Sequence, residues 1–111
     1  MNAQLKPELS SELRINGRRL WDSLMEMAKI GATPKGGVCR LALTDLDKQG
    51  RDLFVRWAKD AGCTISVDRM GNVFARRAGK DNTLTPVVTG SHADSQRSEE
   101  RRVGKECSLP C

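Results

Sequence analysis

The sequence predicts an α/β chain: two amphipathic helices, then a β-hairpin, then a short buried strand. Three observations carry this reading. Apolar residues recur at helical spacing between good capping residues over 16–31 and 44–62. The hydrophobic period switches to two at Cys63. A β-branched run, Pro86-Val87-Val88-Thr89-Gly90, lies just before His92, the single histidine.

The elements follow in order. Residues 1–15 form a polar leader containing Pro7. Asn16 is a good helix N-cap, because its side chain can accept from a backbone N–H that the first turn leaves unpaired. Leu20, Trp21, Leu24, Met25, Met27 and Ala28 then mark one helical face, and Gly31 is the natural stop. Ala32-Thr33-Pro34-Lys35-Gly36-Gly37 is a loop by composition, and residues 38–43 are extended or irregular. Thr44 opens the second helix, with Asp45 and Asp47 in the first turn to suit the helix dipole. Its apolar positions are Leu46, Leu53, Phe54, Trp57, Ala58 and Ala61, and Gly62 closes it. Gly50 lies in its interior at a cost of about 1 kcal/mol against Ala. The Met and Trp stripes of both helices are expected to be core.

Cys63, Ile65 and Val67 alternate with Thr64, Ser66 and Asp68 as a strand. Met70-Gly71-Asn72 makes a turn, and Val73 to Arg77 a second strand, giving a hairpin. A polar loop through Gly79 to Asn82 leads to the expected buried strand at 86–90. No internal repeat appears.

Composition narrows the function classes. At 111 residues the chain has room for one small domain. With four aromatic residues in all, its core is expected to be thin. No apolar run approaches the roughly 20 residues that a membrane helix needs. Nothing at the start resembles a signal peptide, so a soluble, cytoplasmic chain without a membrane partner is expected. The net charge of +5 is interleaved, and the doublets Arg18-Arg19, Arg76-Arg77 and Arg101-Arg102 fall in separate segments. They read as solvated faces before they read as a phosphate-binding surface. Cys39, Cys63, Cys107 and Cys111 have irregular spacing and no neighbouring histidine, and read as reduced thiols.

His92 and Asp94 are the residues that could carry chemistry. Ligands of open α/β sheets sit beyond the carboxyl ends of strands. An imidazole there can bind a metal through one ring nitrogen while a carboxylate holds the other. A hydrogen-bonded loop histidine is the plainer alternative. Ser91 and Ser95 flank His92 without a nucleophile elbow, and Gly36-Gly37 lacks the spacing of a phosphate loop. Arg40 reads as a solvated side chain or as a bidentate carboxylate binder.

From Asn16 to Gln96 the chain resembles the N-terminus of the hydantoinase/carbamoylase family of metal-dependent amidases. The resemblance rests on NGRRLWDSLMEMAKIGATPKGGVCRLALTDLDKQGRDLFVRWAKDAGC, VDRMGNVFARRAG and, most specifically, VVTGSHADSQ. The family includes N-carbamoyl-L-amino-acid hydrolases, allantoate amidohydrolases and β-ureidopropionases, and is related to the dinuclear-zinc aminopeptidases. The resemblance implies that residues 16–96 are an incomplete piece of an aminopeptidase-like catalytic domain. It implies His92 as the first ligand of a two-metal centre and Asp94 as the catalytic-site acid orienting the ligand shell. The metal would be zinc, or manganese, cobalt or nickel. The implied chemistry is attack by metal-activated water on a ureido or carbamoyl carbon of a small-molecule substrate, in a homodimeric parent enzyme. Ala93 departs from the larger apolar residue usual there. Gln96 leans towards the carbamoyl-amino-acid branch and away from allantoate.

A GGxxDG segment expected just after Gln96 does not follow, and the catalytic Glu and later ligands are absent from the sequence. The 111-residue chain is therefore expected to be inactive and to hold zinc poorly. Residues 97–107, RSEERRVGKEC, resemble the translation of a widely used short-read sequencing adapter, so 97–111 is expected to be a non-native tail; composition alone would make it charged and disordered. The tail holds four of the 19 basic and three of the 14 acidic residues, leaving +4 on residues 1–96. Two other function classes stay open: a small basic module binding nucleic acid, and a short form pairing with a full-length subunit.

Overall fold

The computed structural model describes residues 13–96. Most of the leader, the tail, and the expectations for Cys107, Cys111 and the adapter-like segment lie outside the described residues. The element order is α1 (Gly17–Lys29), α2 (Asp45–Asp60), β1 (Thr64–Val67) and β2 (Val73–Arg76).

Helix α1 starts where its cap demands. The Asn16 side chain accepts from the Arg19 N–H at 3.0 Å. It ends at Ile30, whose N–H reaches back to the Met27 carbonyl. Gly31 follows at φ 83°, and a Cβ there would stand 2.6 Å from the Cys39 carbonyl oxygen. Only glycine fits, because the Cys39 N–H also donates to the Gly31 carbonyl at 2.8 Å. The segment expected to be a loop is a tight turn closing an antiparallel bridge between Ala32 and Val38. Thr33 holds it through its carbonyl and hydroxyl, which accept from Gly36 and Gly37.

The Thr44 hydroxyl caps α2 by accepting from the Asp47 N–H at 3.3 Å. The reciprocal contact is displaced by one residue from a capping box: buried Asp47 accepts from Leu43, not from Thr44. This bond holds Leu43 at φ 65°, in the left-handed region that a γ-branched apolar residue seldom occupies. Helix α2 ends with Gly62 at φ 83° and the Cys63 N–H on the Ala58 carbonyl at 2.9 Å.

Strands β1 and β2 pair antiparallel, Ile65 opposite Ala75 and Val67 opposite Val73. Asp68 builds the turn between them. Its carboxylate accepts from the backbone N–H groups of Met70 and Asn72 and from the Asn72 side chain, all within 2.9 Å. Arg51 on α2 donates to the Gly71 carbonyl and ties the helix to this turn. Helix α2 lies against both strands.

Two expectations are corrected. Residues 86–90 are not a buried strand: Val87 is fully exposed and no partner strand lies beside it among the described residues. A strand exists only through bonds to a neighbour, so a β-branched sequence without one remains merely extended. The Met and Trp stripes are not a closed core either. Leu53 and Ala58 are buried and Trp57 is half-buried, but Leu20, Trp21, Leu24, Met25, Leu46 and Phe54 are exposed. Both stripes do lie on helices, but the described residues contain no layer to cover those faces.

Candidate functional site

The His92 loop is held from underneath by a residue that is buried and charged. Arg40 lies in the segment joining the 32–38 turn to α2 and is 7% exposed. Its guanidinium donates Nε to the Ala93 carbonyl at 2.9 Å. It donates Nη1 to the carbonyls of Met27 at 3.0 Å and Ile30 at 2.6 Å. These last two are carbonyls at the end of α1, where the helix dipole is negative, so they suit a cation. Arg40 is therefore neither a solvated side chain nor a bidentate carboxylate binder. Its cation is satisfied by backbone oxygens.

The backbone completes the clamp. The Arg40 N–H donates to the Ser95 hydroxyl oxygen at 2.7 Å, and the Ser95 N–H donates to the Arg40 carbonyl at 2.8 Å. The Ser95 hydroxyl in turn donates to the Val38 carbonyl at 3.1 Å. Ser95 is thus a staple and not a nucleophile. Gly50 makes room for all of this: a Cβ there would lie 2.9 Å from Arg40 Cδ and 3.0 Å from Nε.

His92 and Asp94 meet above this clamp. The imidazole Nδ1 lies 2.9 Å from the Asp94 carbonyl oxygen and 3.2 Å from its carboxylate Oδ1. Both partners are acceptors, so in the neutral ring they favour the proton on Nδ1 and leave the lone pair on Nε2. The His92 side chain is 74% exposed and Asp94 29%.

That donor chemistry fits one position of a metal centre: an outward lone pair on a ring whose other nitrogen is held by a carboxylate. It does not make a complete centre, since no group of three His, Cys, Asp or Glu able to hold a metal occurs among the described residues. Cys39 and Cys63 are free thiols. No helix among the described residues is long and apolar enough to cross a membrane.

Sequence reasoning put His92 beside Asp94, which the structure also does, but did not join Arg40, Ser95 and Gly50 to them in one arrangement. A signal was present: Arg40 interrupts the otherwise apolar run Val38 to Leu43. A cation in such a run is either an error of patterning or a buried, satisfied group.

No protein-family model matches the chain. The chain is 53% identical over 83 residues to an N-carbamoyl-L-amino-acid amidohydrolase of Rhizobium meliloti, covering 75% of the chain and 20% of that relative. It is 40% identical over 81 residues to an N-carbamoyl-L-amino acid amidohydrolase of Geobacillus stearothermophilus, with coverages of 73% and 20%. The crystal structure of a hydantoinase/carbamoylase-family amidase from Burkholderia multivorans matches with a TM-score of 0.73 and 78% identity, over 75% of this chain and 20% of that one. The chain spans about a fifth of the length of these relatives. It is homologous to the N-carbamoyl-amino-acid amidohydrolases of the hydantoinase/carbamoylase family, consistent with an N-terminal fragment of one.

Proposed function

We propose that residues 16–96 are the N-terminal part of the catalytic domain of a hydrolase that cleaves the ureido C–N bond of an N-carbamoyl-L-amino acid. The observation that carries this is the 53% identity to an amidohydrolase of that substrate class. In this reading His92 would hold a divalent metal, zinc, manganese, cobalt or nickel, through Nε2. Such an ion, when bound, supplies Lewis acidity and lowers the pKa of water. Asp94 is the acid that keeps the proton on Nδ1, so that Nε2 faces outward as a lone pair. The remaining ligands and the general base would come from chain beyond Gln96 in a longer protein, which as a whole is a homodimer. Residues 97–111 would be translated adapter sequence.

Hydrolysis of such a substrate releases the free amino acid, ammonia and carbon dioxide. The test starts from source DNA, read from the Asn16 codons through Gln96. If the reading frame continues into a GGxxDG segment, its product should release ammonia from N-carbamoyl-L-amino acids. His92→Ala in that product should lose activity by at least about 100-fold, in line with the weight of a metal's supporting shell. The 111-residue chain itself should show no turnover and no tight one-to-one zinc event by calorimetry. Tight stoichiometric zinc binding that disappears in His92→Ala would overturn the incomplete-site reading. A genomic frame that encodes Arg97 to Cys111 and then stops would overturn the hydrolase reading for this gene, and the small basic binding module would take its place.

A further inference from the structure

We propose that Arg40 is the positioning residue of the His92 loop, and that Gly50 is the residue that lets it act. Two peptide planes carry the coupling. The Ala93–Asp94 peptide presents its carbonyl to Arg40 Nε at 2.9 Å. The Asp94–Ser95 peptide presents its N–H to the Arg40 carbonyl at 2.8 Å. Both peptide units flanking Asp94 are therefore bound to the same residue. A peptide unit is planar and stiff, so holding one end fixes the other. The other end of the Asp94–Ser95 unit is the carbonyl that His92 Nδ1 reaches at 2.9 Å. The proton on His92 thus sits at the end of a short, rigid path that begins at Arg40.

Arg40 is itself fixed by the last turn of α1, through the Met27 and Ile30 carbonyls. A lysine cannot replace it, because the planar fork reaches Ala93 and α1 in different directions at once, which one ammonium does not. On its other side stands Gly50, where a Cβ 2.9 Å from Arg40 Cδ would push the Arg40 side chain out of place. The loop that carries the site is thereby registered against both helices through one side chain. What this positioning serves rests on the reading of His92 as a ligand; the coupling itself does not.

His92 is the single histidine, so its imidazole nitrogens give one unambiguous set of NMR signals. The experiment is a long-range proton–nitrogen spectrum of the metal-free 111-residue chain at a pH where the ring is neutral. The wild-type ring should be predominantly the Nδ1–H tautomer. Arg40→Lys and Ser95→Ala should each lower the ratio of Nδ1–H to Nε2–H several-fold, towards the mixture of a free imidazole. Gly50→Ala should do the same, although it touches neither His92 nor its loop and improves the intrinsic propensity of α2. The hairpin amide signals report whether each variant keeps its fold. Where Arg40→Lys fails to fold, Gly50→Ala decides alone. A wild-type ring with the tautomer mixture of free imidazole overturns the proposal, as does a folded Gly50→Ala with unchanged His92 signals. This readout uses no metal and no substrate. A failed tautomer shift with an active full-length hydrolase removes the positioning role only, and the reverse result removes the hydrolase reading only.

Discussion

At the scale of single residues, the hairpin turn shows how one carboxylate can organise a loop. Hydrogen bonds from the Asn72 side chain and backbone, and then from Met70 and Gly71, hold the Asp68 carboxyl below its usual value of 3.8. A carboxyl lowered in the folded state contributes stability above its unfolded pKa, and that contribution is lost as pH falls through the folded value. The β1–β2 amide signals should therefore weaken as pH drops below about 4. Asp68→Asn should remove this acid dependence at some cost in stability, because its amide oxygen can keep the Met70 and Asn72 backbone donors without titrating while its NH2 cannot accept from the Asn72 side chain. Acid loss that persists unchanged in Asp68→Asn would assign it to another group. Two surface ion pairs, Arg18–Asp22 and Lys48–Asp52, both exposed and at i,i+4, contribute little by comparison.

At the scale of elements, α2 is the keel of the described segment. It carries Leu53, which is 2% exposed, and Ala58, and it lies against both strands. Leu53→Ala should cost about 2–5 kcal/mol. In so thin a core that should abolish the cooperative thermal transition followed by far-UV circular dichroism. Thr44→Ala removes the cap and the hydroxyl's bond to the Leu41 carbonyl, both made by an exposed residue, and should cost about 1 kcal/mol, lowering the midpoint while keeping the transition. If the two variants melt alike, the core does not centre on Leu53. Both helices were legible in the sequence almost to the residue, because Asn16 and Thr44 act through local bonds to Arg19 and Asp47. The hairpin was legible for the same reason: Asp68 and Asn72 close the turn within five residues of each other. The strand at 86–90 was not, because its fate depends on a neighbour and not on Val87 or Val88.

At the scale of the whole molecule, the surface left open is large and apolar. Leu13, Ile15, Leu20, Trp21, Leu24, Phe74, Val87 and Val88 are all exposed. Exposed apolar side chains in such number, and an extended segment with no paired neighbour among the described residues, favour association. The isolated chain should bind the dye ANS and elute from a sizing column at positions that shift with concentration. A sharp, concentration-independent monomer peak without ANS binding would show that these faces are covered in solution.

Caps, helical faces, the hairpin and the pairing of His92 with Asp94 are written into the local sequence, since each is set by bonds between residues close in the chain. Folding alone brought together residues from separate elements. It turned Arg40 from a surface cation into a clamp, Ser95 into a staple and Gly50 from a defect in a helix into a requirement. The physical reason is that burying a guanidinium is tolerable only when oxygens converge on it from several elements at once, and no local pattern records that convergence.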